Sequence, residues 1–134
     1  DLNDYMHKHM SECKIRELDD TTLGGTPCHS RFTVSPDENY RVLQQEKQYD
    51  DKTVMDEYFD LKDAMFMART TIYKDGKYDP VEKYYIAKDM VYKLDYNTAT
   101  VYKVVSLNSD EADAKRKQLD MYFSFDEITA KYGS

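Results

Sequence analysis

The chain has 134 residues, enough for one domain (residues 1–134) with a core of its own. Its 13 Tyr and 5 Phe exclude a disordered chain, and with only 4 Gly and 3 Pro it is neither a linker nor a collagen-like rod. A net charge of -7 disfavours nucleic acid and anionic membrane surfaces as partners, because the longest basic run, Lys115-Arg116-Lys117, sits among Asp110, Glu111, Asp113 and Asp120; no apolar run reaches the ~18 residues of a membrane span.

Leu2, Tyr5, Met6, His9, Met10 and Cys13 recur at three- and four-residue steps, which predicts a helix over residues 1–18. The start at Asp1, with no Met and no signal peptide, is the start expected of a mature or trimmed product. Residues 21–30 carry Gly24-Gly25 and Pro27 and are predicted to be a loop, followed by a short strand over 31–34. Ser35-Pro36-Asp37-Glu38-Asn39 has the composition of a turn, with Pro setting φ and Asp and Asn offering local hydrogen bonds.

From there the punctuation is regular. Strands are predicted over 40–49, 53–61, 64–73, 81–87, 90–96 and 100–105. Between them stand the turns Asp50-Asp51-Lys52, Lys62-Asp63, Lys88-Asp89 and Asn97-Thr98. Asp75-Gly76 is the expected type I′ hairpin turn, since that turn needs φ > 0 at both central positions. In the 53–61 strand Met55, Phe59 and Leu61 share one face, with Glu57 as the exception. Met90, Tyr92, Leu94 and Tyr96 alternate with Val91, Lys93 and Asp95, which implies one buried and one wetter face. A helix over 54–68 is the rival pattern, because Met55, Tyr58, Phe59 and Lys62 also fit a 3.6-residue period. Two helices are predicted at the end, over 109–122 and 125–132. The second carries a capping box from Ser124 to Glu127, a staple from Phe123 to Ile128 and Gly133 as C-cap. The expected fold is α+β: an antiparallel meander of about five to seven strands packed by an N-terminal helix and one or two C-terminal helices.

The phrase Glu57-Tyr58-Phe59…Lys62-Asp63 returns 26 positions on as Lys83-Tyr84-Tyr85…Lys88-Asp89, which makes the two copies successive β-hairpin units. With Tyr73-Lys74-Asp75-Gly76-Lys77, these phrases resemble the tyrosine-rich repeats of MORN-type and YwqK-like bacterial envelope proteins. Lys62-Asp63 and Lys88-Asp89 stand where those repeats carry Gly. The run from Lys88 to Thr98 is also similar to meanders of LolA-like lipoprotein carriers and secreted bacterial proteins. These resemblances imply an extracellular or cell-envelope setting and no catalysis.

Chemistry-bearing residues cluster at His7, His9, Cys13, Cys28 and His29. An even cysteine count at short separation points to a Cys13–Cys28 disulfide, worth ~3 kcal/mol; free thiols or a metal site are the alternatives. A hydrolase built on this cluster is the enzymatic alternative. It lacks a nucleophile elbow and a phosphate loop, and no calcium loop is present, so no catalytic residue, metal or cofactor is assigned. Ten of the 13 Tyr fall between Tyr40 and Tyr102, and a rigid ring with a polar tip suits recognition. Tyr84, Tyr92, Tyr96 and Tyr102 are the candidate ligand-binding residues. The expected function is a non-catalytic extracytoplasmic binding or assembly domain with a protein, peptide or glycan partner. A LolA-like carrier of a lipid or small amphiphile is the alternative.

Overall fold

A computed structural model describes residues 12–133. Eight strands form one antiparallel sheet: β1 Lys14–Thr21, β2 Pro27–Val34, β3 Arg41–Gln48, β4 Lys52–Asp60, β5 Ala64–Tyr73, β6 Glu82–Ala87, β7 Met90–Asp95 and β8 Thr100–Ser106. Their order in the sheet is their order in the chain, so every connection is a hairpin. Two helices follow, α1 Ala112–Leu119 and α2 Phe125–Tyr132.

The doubled phrase is indeed two hairpin units. The first copy spans the β4–β5 turn and the second the β6–β7 turn, so the helical alternative over 54–68 does not form. Tyr58 and Tyr84 lie in one cross-strand row, each opposite Met67. All three are buried.

The inner face takes one row of residues from every strand. Phe32, Leu43, Tyr58, Met67 and Tyr84 run across it in register, with Met65, Ile86, Val91 and Val105 beside them. Met121, Tyr122, Phe123, Phe125, Ile128 and Tyr132 close over this row. Burying a large apolar side chain contributes ~2–3 kcal/mol, so this seam holds the helices to the sheet. Tyr58 meets Tyr122 edge-on at 5.6 Å, and Phe32 lies 6.1 Å from Phe125.

Several expectations are corrected. Residues 14–18 belong to β1, not to a helix; the rest of the predicted N-terminal helix, with His7 and His9, lies outside the described residues. The predicted 21–30 loop shortens to a hairpin turn, because β2 begins at Pro27 and pairs with β1 along its whole length. Cys13 and Cys28 are thiols and form no disulfide. The register explains why. Lys14 stands opposite Val34, six residues along β2 from Cys28, so the two cysteines sit at opposite ends of one hairpin, about 20 Å apart. A disulfide needs Cα atoms within about 7 Å.

Asp75-Gly76 does not make a type I′ turn. Gly76 alone has positive φ (88°), while Asp75 accepts the Lys77 N–H at 2.9 Å and stays on the ordinary side. The I′ geometry falls instead on Lys88-Asp89, with φ of 50° and 64°. At the chain end, α1 is shorter than predicted, and its N-cap Glu111 makes no side-chain cap. Ser124 does cap α2, accepting the Asp126 N–H at 3.1 Å, but the capping box is not completed. Glu127 turns instead to Arg116 of α1, at 2.6 Å.

Candidate functional site

Two polar clusters occupy the inner face. In the first, the β3–β4 and β4–β5 registers stack Lys47 beside Val54, Gln45 opposite Asp56, and Asp56 opposite Arg69. Asp56 is fully buried. It takes two bonds from Arg69 (2.8 and 2.9 Å) and one ion pair from Lys47 (2.7 Å). Burial disfavours the Arg69 cation, but the Asp56 carboxylate outweighs it, so Arg69 stays protonated. Both cations also donate to the backbone carbonyl of Asp120, Arg69 at 3.2 Å. Asp120 ends α1 in the left-handed conformation (φ 48°, ψ 55°), with its N–H and that of Met121 closing on Lys117 and Arg116. Its carboxylate accepts from Gly24 N–H at 2.9 Å and Tyr49 at 3.3 Å. In the second cluster, Tyr132 of α2 donates to Asp20 at 2.8 Å and meets Ser30 and Gln45 at 3.2 and 3.0 Å. Every charged or polar head here is spent on the fold, so these clusters fasten the helices and present nothing to a ligand.

The open feature lies at the other margin of the sheet. β6 has six residues against ten in β5, so the end of β5 loses its neighbour apart from the Ile72–Tyr78 bridge. The chain loops out through Asp79 and Pro80 before entering β6, and the β7–β8 turn rises beside it. Between them lies a cleft of about 730 Å³. Pro80, Val81, Leu94, Tyr96 and Tyr102 form its apolar walls, and Asp79, Glu82, Lys83, Lys93, Asp95 and Asn97 supply its polar groups. Tyr73 donates to Asp79 at 2.9 Å and pins the loop. Asp95 accepts the N–H groups of Asn97 and Thr98 and shapes the opposite turn.

Within the cleft Lys93 pairs with Glu82 at 3.2 Å and lies 5.8 Å from the centre of the Tyr84 ring. Burial works against the Lys93 cation, but the bond to Glu82 prevails and raises its pKa. Burial, then the Glu82 charge, raise that of Tyr84. Lys83 sits 4.2 Å over the Tyr96 ring, a favourable cation–π distance. Among the described residues no Ser, Cys or His lines the cleft. Its parts suit recognition: exposed rings for stacking, with acceptors and ammonium donors around them.

The four candidate tyrosines do not share one surface. Tyr96 and Tyr102 line the cleft and are exposed. Tyr84 lies beneath it in the core, under Lys93. Tyr92 pairs with Tyr85 and Lys103 on the outer face and belongs to another surface. Cys28 and His29 alternate along β2: the thiol is buried against Ser30 at 3.7 Å, whereas the exposed imidazole meets Asp19 at 2.9 Å. Cys28 and His29 therefore do not share a face, and Cys13 lies at the far end of the hairpin. Among the described residues no three His, Cys, Asp or Glu are grouped to hold a metal ion.

Glu82, Lys83 and Lys93 were not singled out from sequence, yet a signal for them exists. A two-residue turn at Lys88-Asp89 sets Ala87 opposite Met90, and counting back sets Tyr84 opposite Lys93 and Lys83 opposite Leu94, as found. Comparison of the chain with protein-family models, with curated proteins and with solved structures finds no match.

Proposed function

We propose that this is a non-catalytic binding domain whose site is the cleft between the β5–β6 and β7–β8 connections. The observation that carries this reading is the pairing of two exposed rings, Tyr96 and Tyr102, with the Lys93–Glu82 ion pair in one open cleft. The ligand class is a peptide or glycan, because stacking faces ringed by hydrogen-bonding groups serve both. Packing supports a binding module over a lipid carrier: Tyr58, Met67, Met121, Ile128 and Tyr132 fill the space between sheet and helices, where a carrier would hold its cargo. The extracytoplasmic setting rests on the resemblance to tyrosine-rich envelope repeats, and with the cysteines unbridged it draws nothing from a disulfide.

The test is a glycan array and a peptide library probed with the wild-type chain and with Tyr96→Ala and Tyr102→Ala. Each substitution is expected to weaken any ligand found at least tenfold, since aromatic anchors typically cost ~2 kcal/mol or more when truncated. Ligands that bind both variants as well as wild type would place recognition elsewhere. Native mass spectra showing a retained lipid would favour the carrier.

A further inference from the structure

A sheet that does not close on itself has two edges, and here they differ. β1 carries five charged residues in eight: Lys14, Arg16, Glu17, Asp19 and Asp20. Such an edge repels an incoming strand, which is how natural sheets blunt their margins. β8, Thr-Val-Tyr-Lys-Val-Val-Ser, carries one charge, Lys103, and no Pro. Val101 is 61% exposed and Tyr102 49%. Val104 is the extra residue of a bulge against β7, and α1 lies against this end of the strand. Thr100 to Lys103 is thus a regular stretch of edge with exposed Val101 and Tyr102 and a single charge, and no described residue pairs with it on its outer side.

We propose that this edge pairs antiparallel with the same edge of a second copy of the chain, joining two eight-stranded sheets into one isologous dimer. Pairing of β8 with β1 of another copy would be head-to-tail and would continue without closing, and the charges of β1 oppose it. Pairing of β8 with itself closes at two. With the two-fold axis at Tyr102, that residue faces Tyr102 of the second copy, and Val101 faces Lys103 of the second copy. The lysine stem then covers valine, and no lysine faces a lysine. β8 itself carries no acidic residue, so no carboxylate of the strand meets another across the axis. Tyr102 belongs to both this contact and the cleft, whereas Val101 does not line the cleft, so variants at Val101 separate dimerisation from ligand binding.

The experiment is sedimentation of the full chain over a concentration series, for wild type, Val101→Lys and Val101→Thr, with circular dichroism to verify folding. Wild type and Val101→Thr are expected to dimerise, and Val101→Lys to weaken the dimer at least tenfold while staying folded. In a Cys13→Ser background, Tyr102→Cys should become a covalent dimer under oxidised glutathione, since opposed residues of an antiparallel pair lie within disulfide range. A wild-type monomer at every concentration overturns the proposal. So does a dimer that Val101→Lys leaves unchanged, or a Tyr102→Cys chain that stays monomeric under oxidant.

Discussion

Asp56 is the most demanding residue in the protein: a fully buried carboxylate between two cations. Removing a carboxylate from such a cluster leaves buried positive charge without a counter-ion, which typically costs ~3–5 kcal/mol. Asp56→Ala is therefore expected to lose that much in a urea titration. Lys47→Met should cost clearly less, because Asp56 keeps both bonds from Arg69 and the methionine fills the volume of the lysine stem. Equal losses would mean that the cluster is not the unit described. The same residues explain why alternation alone does not say which face of two strands is the inner one. In β4 the apolar-looking set Met55, Phe59 and Leu61 faces outward or sits at the margin, while the interior takes Val54, Asp56 and Tyr58. In β7 the buried residue is Val91, on the side shared with Lys93, and not the Met90–Tyr96 set. Alternation assumes that the inner face is apolar, and here that face holds ion pairs and tyrosine hydroxyls.

The elements follow their local chemistry more closely than the faces do. The turns read from Lys62-Asp63, Lys88-Asp89 and Asn97-Thr98 all stand between paired strands. β1 was missed because its charges hide period-2 alternation and the upstream helical stripe runs into it. The β6–β7 turn carries two left-handed residues in succession, Lys88 and Asp89, a conformation costing L-residues ~1–2 kcal/mol each. Replacing the pair with Asn-Gly, the favoured type I′ sequence, is expected to raise stability by about 1 kcal/mol or more without changing the hairpin, read as a higher urea midpoint at unchanged m-value. On α2, Ser124→Ala removes the acceptor of the Asp126 N–H and is expected to cost ~1 kcal/mol. The loss should be no larger, because Phe123 and Ile128 remain buried and Glu127 is held by Arg116 rather than by the cap.

At the scale of the whole molecule, two carboxylates tie the helical unit to the β1–β2 end of the sheet, and both have lowered pKa values. For Asp120, burial opposes ionisation, but the nearby Lys47 charge and bonds from Thr22, the Gly24 N–H and Tyr49 outweigh it. For Asp20, burial is likewise outweighed, by Lys131, the Thr21 backbone and Tyr132. A carboxylate with a lowered folded pKa binds fewer protons in the folded chain than in the unfolded one. Its stabilisation is complete above the unfolded value, about pH 4, and is lost as pH falls through the folded value. His29 acts with the opposite sign. Its bond to Asp19 raises its pKa against the penalty of burial, with a lesser contribution from Glu17, so its stabilisation is present below about pH 6.5 and lost as pH rises. That imidazole is on the surface and is weakly coupled to the fold, so acid is the side on which the architecture gives way. Asp120→Asn is expected to lower the melting temperature at neutral pH and to flatten its decline below about pH 4, so that the two curves converge in strong acid. Parallel curves would mean that Asp120 is not charged in the fold. Convergence together with loss of near-ultraviolet dichroism ahead of far-ultraviolet dichroism would show aromatic packing loosening before the sheet, as expected if the polar clusters, and not the apolar seam alone, keep the helices in place.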